Sequence, residues 1–162
     1  MHLYFKNING NKDFANLYNW FEDADGTQQA SDIPGQADTV HITDAQVEIA
    51  TLGGNRTIKS LTTSPSSVNF LLSATDGVLR VTDGVKLDGS DQAIGPGAVV
   101  EGDVYFCGIN TAANAGTIVG SVVLDIGVAA PGNFENAGRI VGTIVSPLPV
   151  NGTGTASATI VK

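Results

Sequence analysis

The chain has 162 residues, 42% of them apolar, and twenty are glycine. Sixteen acidic residues against eight basic ones leave a formal charge of −8, which repels phosphate backbones and disfavours nucleic-acid binding. No stretch approaches the roughly 20 apolar residues of a membrane-spanning helix, and the single cysteine, Cys107, excludes both an intrachain disulfide framework and a Cys-based zinc cluster.

The opening Met1-His2-Leu3-Tyr4-Phe5-Lys6 has no charged region followed by an apolar one, so it does not read as a secretory signal. Leu3 to Ile8 fits a short strand ended by the Asn9-Gly10 turn pair. Phe14, Leu17, Tyr18 and Phe21 then fall at i, i+3, i+4 and i+7, which predicts one apolar helical face, with Asn11 or Asp13 as N-cap. The only tryptophan, Trp20, and five of the nine other aromatic residues lie in this opening segment. Such a cluster suits a cap that plugs the end of the body behind it, packed through those four side chains; the alternative is a ligand platform. Residues 1–36 are therefore expected to form a cap or docking segment with one short helix, and residues 37–162 the body.

From Ala37 onward the pattern becomes short strands. Val40-His41-Ile42, Val47-Glu48-Ile49 and Val68-Asn69-Phe70 alternate apolar and polar residues. Thr75-Asp76-Gly77-Val78 and Thr82-Asp83-Gly84-Val85 repeat one turn-strand unit. Near the C-terminus, Asn114-Ala115-Gly116-Thr117-Ile118-Val119-Gly120 recurs as Asn136-Ala137-Gly138-Arg139-Ile140-Val141-Gly142, an offset of 136 − 114 = 22. Val100-Glu101-Gly102-Asp103-Val104 aligns with Ile118 to Val122, an offset of 120 − 102 = 18, and Thr159-Ile160-Val161 repeats Thr117-Ile118-Val119. Periods near 20 residues indicate a solenoid.

Aligning these units stacks like residues on like. On one face stand Val100, Ile118 and Ile140, then Gly102, Gly120 and Gly142, then Val104, Val122 and Ile144. That face fills the interior, and the mid-strand glycines mark a bend. The opposite face carries Glu101, Val119 and Val141, then Asp103, Ser121 and Thr143, then Tyr105, Val123 and Val145. Strands apolar on both sides are normally covered on both sides. Val119, Val123, Val141 and Val145 are accordingly expected at an interface between copies of the chain, the alternative being a covering loop of the same chain.

The order Trp20, a polar loop with Gly26, Ile33-Pro34, Asp38-Thr39-Val40-His41-Ile42, Leu61-Thr62 and Leu79-Arg80-Val81 resembles the start of right-handed parallel β-helices in bacteriophage virion proteins and bacterial surface adhesins. The Asn-Ala-Gly-x-Ile-Val-Gly rungs are similar to rungs of the same modules, and the likeness spans roughly residues 20–162. It implies an all-β fold, a right-handed parallel β-helix or solenoid, trimeric assembly and surface display, and it transfers no catalytic residue.

The residues themselves offer little chemistry. Glu101 and Asp103, two apart on a strand, face the same way as a glycosidase pair would, but the following rungs place Val119/Ser121 and Val141/Thr143 there, so a solvated edge is favoured. The half from Leu87 to Val161 holds one cation, Arg139, where a polysaccharide lyase needs positive charge. His41, between Val40 and Ile42, points away from the core toward solvent, and nothing pairs it or His2 with a nucleophile. Asp88-Gly89-Ser90-Asp91 reads as a polar turn rather than a calcium loop. Cys107, following Val104-Tyr105-Phe106, reads as a buried structural thiol. No phosphate loop or dinucleotide fingerprint is present.

The expectation is therefore a non-enzymatic virion structural protein without cofactor: a bacteriophage capsid decoration or tail-fibre component, homotrimeric, contacting capsid or tail proteins but neither nucleic acid nor membrane. The alternatives are an extracellular or cell-surface adhesin that binds a glycan through Trp20, Tyr18 or Tyr105, and, last, a polysaccharide lyase or hydrolase.

Overall fold

A computed structural model describes residues 1–108 and 111–162. The alternating segments form the expected β-solenoid, of about 5 turns. In the cap, β1 (His2–Phe5) pairs antiparallel with β2 (Trp20–Phe21). The first coil holds β3 (Thr39–Ile42), β4 (Gln46–Ile49) and β5 (Arg56–Ile58), and the second β6 (Ser60–Thr63), β7 (Asn69–Leu72) and β8 (Val78–Val81). Next come β9 (Val85–Leu87), β10 (Asp91–Ile94) and β11 (Val99–Glu101), then β12 (Val104–Phe106), β13 (Thr111–Asn114) and β14 (Thr117–Val119). The fifth coil runs through β15 (Val122–Leu124), a helical turn α1 (Ile126–Ala129), β16 (Phe134–Asn136) and β17 (Arg139–Ser146); β18 (Thr155–Val161) lies on β17.

Each strand pairs in parallel with its counterpart one coil on, which gives three flat faces. The first runs β1-β3-β6-β9-β12-β15-β17-β18, the second β4-β7-β10-β13-β16, and the third β5-β8-β11-β14-β17. Strand β17 is long enough to serve two faces: Arg139 to Val141 pair with β14, and Ile144 and Val145 with β15. The two offsets in the sequence are thus one architecture with unequal corners. A longer period is absorbed by α1 and the turn after it, which bulge out while the strands stay in register.

Period-two alternation sets what is inside. Val40 and Ile42, Val47 and Ile49, and Val104 and Phe106 are buried, and the residues between them face out. Burial of each such aliphatic or aromatic side chain contributes about 1.5–3 kcal/mol against the entropy of ordering it. One inward column changes character along the axis. Ile49, Leu72 and Ile94 are followed in register by Asn114 and Asn136, and Asn114 Nδ2 donates to Asn136 Oδ1 at 3.1 Å. Gly116 N donates to Asn114 Oδ1 and Asn136 Nδ2 donates to the Thr155 carbonyl, so the buried amides are satisfied within the ladder.

The repeated glycines are corners where coils nearly touch. A Cβ on Gly120 would sit 2.3 Å from the Gly102 carbonyl oxygen, and one on Gly142 would sit 2.1 Å from that of Gly120. These are the bends expected of the mid-strand glycines: Val100 and Val104 both point inward, from β11 and β12, on different faces.

The predicted helix over Asp13–Phe21 is absent. A 3₁₀ turn, Leu17–Asn19, leads directly into β2. The side chains at fault are amides and a carboxylate, which compete for the backbone donors and acceptors a helix would use. Asn16 Oδ1 accepts from Tyr18 N, Asp13 Oδ1 from Ala15 N, and buried Asn19 binds Asn11 Oδ1 and the Asp13 carbonyl. Phe14 and Phe21 are buried, but Leu17 and Tyr18, expected beside them, are exposed. The plug is instead Trp20, fully buried, edge-on to Phe5 and Phe14, with its indole N–H on the Phe14 carbonyl at 2.7 Å.

Candidate functional site

The parallel register aligns outward side chains into columns along the axis. On the first face the column reads Tyr4, His41, Thr62, Lys86, Tyr105, Val123, Val145, Ile160. On the third it reads Thr57, Arg80, Glu101, Val119, Val141. Both begin polar and end aliphatic. Val119, Val123, Val141 and Ile160 are 37–42% exposed, while Val145 is half-buried. Among the described residues no loop of the chain lies over this valine surface to bury it. The valines therefore stand where the repeat places them, on two adjacent faces that meet at the Gly120–Gly142 corner.

The patch is bounded on one side by Tyr105. Its hydroxyl donates to Asp125, whose other oxygen accepts from Gly108 N. Asp125 holds the Tyr105 hydroxyl protonated, pushed up to about 12. The ring is thus fixed by a charge-assisted bond at the polar margin. On the other side, β18 pairs only with β17 among the described strands, and it carries Ile160 and Val161 exposed.

The acidic pair is engaged in structural bonds. Gly102 turns the chain between Glu101 and Asp103, so the two carboxylates leave on different faces, contrary to the expectation of a shared one. Glu101 accepts from Arg80 Nε and Nη2, each at 2.8 Å, along the third face. Asp103 Oδ1 accepts from Ser121 N at 2.9 Å and ties one coil to the next.

His41 does not stand free in solvent. It is stacked against the His2 and Tyr4 rings, 5.0 and 4.8 Å away, and bonds Thr62 Oγ1 and His2. Burial, and then the charge of His2, hold its imidazole below the ordinary histidine range. Cys107 is buried, and burial pushes its thiol up to about 11; its Sγ makes a weak contact to the Tyr105 carbonyl. The Asp88–Asp91 turn is anchored by Asp88 N on Thr63 Oγ1 and by Gln92 Nε2 on the Ser67 carbonyl. Among the described residues no group of three or more His, Cys, Asp or Glu is placed to hold a metal, and no helix is long and apolar enough to cross a membrane.

Of the three proposed stacking platforms, Trp20 is excluded by its burial, Tyr105 is edge-bound to Asp125, and Tyr18 is 70% exposed. Tyr18 borders an amide-lined cleft in the cap with Asn9, Asn11, Asn16, Asn19 and Gln29. Sequence reasoning missed this cleft because it assigned the segment to a helix. The signal was present in the four asparagines between residues 7 and 16, a density more typical of turns than of helices. Comparison with models of known protein families, with curated proteins and with solved structures finds no match in any of the three.

Proposed function

We propose that this chain is a non-enzymatic structural component that works by self-association, as a capsid decoration or tail appendage of a bacteriophage virion. The observation that carries the reading is the uncharged aliphatic surface of Val119, Val123, Val141, Val145 and Ile160 at one end of the rod. Its occupant is a second copy of the chain. Each molecule carries −8, so copies repel through most of their surfaces, and this patch is where they meet without opposing charge. Its β-branched side chains repeat at the strand spacing of about 4.8 Å, so an identical ladder interdigitates with it. The resemblance of the rungs to virion and adhesin β-helices favours three copies around an axis, and it supplies the virion setting.

Function of this kind needs buried area and shape rather than reacting groups. Glu101 and Asp103, the pair weighed as a glycosidase set, are both engaged in structural bonds, which supports the same view. Sedimentation velocity across a concentration series, on the wild type and on Val123→Asp and Val141→Asp, tests it. The wild type is expected at trimer mass. Each substitution buries an uncompensated carboxylate, costing about 3–5 kcal/mol per site, more than a hundredfold in Kd, so the variants run as monomers with unchanged circular dichroism. A wild type that stays monomeric at tens of micromolar, or variants that still associate, refutes the proposal. Capsid or tail genes beside its own would support the virion assignment; their absence would favour a surface adhesin.

A further inference from the structure

The cap contains a second surface that self-association leaves unused. A cleft of about 530 Å³ opens between the Asn9-Gly10 turn and the segment Asn16 to Phe21. Tyr18 stands at its edge, 70% exposed, and its hydroxyl has no partner among the described residues. The backbone beneath the ring is nevertheless pinned: Asn16 Oδ1 accepts from Tyr18 N at 3.1 Å, and Gln29 Nε2 donates to the Leu17 and Trp20 carbonyls at 2.7 Å. Asn19, at the floor, is fully buried and uses both ends of its amide, on Ile8 N, Asn11 Oδ1 and the Asp13 carbonyl. An exposed ring on so fixed a support loses little entropy when something stacks on it.

The polar groups left over are all neutral. Among the described residues Asn16 Nδ2, Gln29 Oε1 and the Asn9 side chain have no partner. Asn9 is also the only described non-glycine residue with a positive φ, +52°. Asparagine tolerates that conformation better than most residues, and the turn presents its amide at the rim instead of folding it inward. Among the described residues no Lys, Arg, Asp or Glu lines the cleft.

We infer that this cleft binds a neutral saccharide. A pyranose has an apolar C–H face that suits the open Tyr18 ring, whose amphipathic character favours such contact. Its hydroxyls both donate and accept, and they match the free amide N–H and C=O groups around the ring. A charged ligand finds no counter-ion here: a sialylated or uronic glycan meets no cation in the cleft and a protein of net charge −8. A peptide strand finds no sheet edge in the cleft. The inference is independent of assembly, although several copies in one particle would multiply a weak single-site affinity.

An array of immobilised neutral hexose and N-acetylhexosamine glycans alongside sialylated and uronic ones, probed with the intact chain, identifies the binding class. Titration calorimetry with the strongest neutral oligosaccharide then compares wild type, Tyr18→Phe and Tyr18→Ala. Retention on neutral glycans is expected. Loss of the ring costs about tenfold or more in affinity, the scale of one aromatic contact, and Tyr18→Phe stays within about threefold. Melting temperatures check that each variant is folded, and an exposed ring should leave them unchanged. No retention on any neutral glycan, retention on acidic glycans only, or a folded Tyr18→Ala that binds like wild type overturns the inference.

Discussion

Substitution of Gly120 by alanine tests the stacked-corner geometry on which the whole rod depends. The new methyl would lie 2.3 Å from the Gly102 carbonyl oxygen and 2.6 Å from its carbon, at a φ of +157°. Those atoms belong to the backbone of the preceding coil, so no side chain can rotate away. Relief requires the coils to part, and the bonds from Gly102 N to Val119 O and from Gly120 N to Val141 O, 2.9 and 3.1 Å, hold them together. Strain at an unfavourable φ costs about 1–3 kcal/mol, and overpacking about 1–3 kcal/mol more. At about 2–4 °C per kcal/mol for a chain of this size, the melting temperature falls by roughly 4–24 °C. Two controls separate the contributions. Gly132, at φ +83°, has nothing within 4 Å of a Cβ, and Gly35 meets only Asp38 Oδ2 at 3.8 Å without a positive φ. Gly132→Ala therefore pays for conformation alone and Gly35→Ala for neither. Thermal unfolding followed by circular dichroism should rank the losses Gly120, Gly132, Gly35. If Gly120→Ala melts no lower than Gly132→Ala, the coils are not in backbone contact there.

Replacing Asn114 by leucine strands Asn136 Oδ1 and the Gly116 N–H in the core, at about 1–3 kcal/mol for each group; with Asn136→Leu added, the double variant should lose less than the two single losses combined, read from denaturant midpoints. The Cys107 thiol, raised to about 11 by burial from an ordinary value of 9.0, should react with iodoacetamide at pH 8 about a hundredfold more slowly in the folded than in the unfolded chain. His41 resists protonation in the fold but takes a proton freely once unfolded. Its contribution is therefore complete above the ordinary histidine pKa of about 6.5 and is lost as pH falls below it. Melting temperature should fall between pH 7 and 5, and His41→Phe should flatten that interval. A separate loss should appear in both proteins at lower pH. There Glu48, lowered by Lys12 and Ser73, and Asp76, lowered by the Leu52 N–H and its neighbours, take up protons.

How much of this was readable in advance depended on whether the pattern was periodic. Val40-His41-Ile42 and Val47-Glu48-Ile49 became β3 and β4 with the apolar residues inside, because alternation on a pleated strand admits one arrangement against a core. The 18- and 22-residue offsets gave the true partners, Val104 with Val122 and Val122 with Ile144. Corners were less legible. Gly102 marked a bend, but Glu101 and Asp103 on either side of it were still read as facing the same way, and only the stacking of the coils separates them. In the cap, the spacing of Phe14, Leu17, Tyr18 and Phe21 imitated a helix. The asparagines among them decided the outcome through side-chain bonds that no hydrophobic period reports.

The rod is amphipathic along its axis rather than across it. Its first outward column passes from Tyr4, His41, Thr62 and Lys86, through Tyr105, to Val123, Val145 and Ile160. Its third passes from Arg80 paired with Glu101 to Val119 and Val141. A solenoid keeps the same faces from coil to coil, so each new coil can alter surface chemistry without altering the fold. The first end is closed: β2 runs antiparallel over β1, and Trp20 fills the core. At the other end β17 and β18 leave inward positions such as Thr159 and Val161 exposed. The proposed adhesion between copies at the aliphatic end and the proposed ligand contact at the capped end would therefore use opposite poles of one core. An aspartate that breaks the assembly at Val123 should leave the single-site saccharide affinity at Tyr18 unchanged. If that affinity shifts with Val123→Asp, the two poles are coupled through the coils, and the rod is not the passive spacer its packing describes.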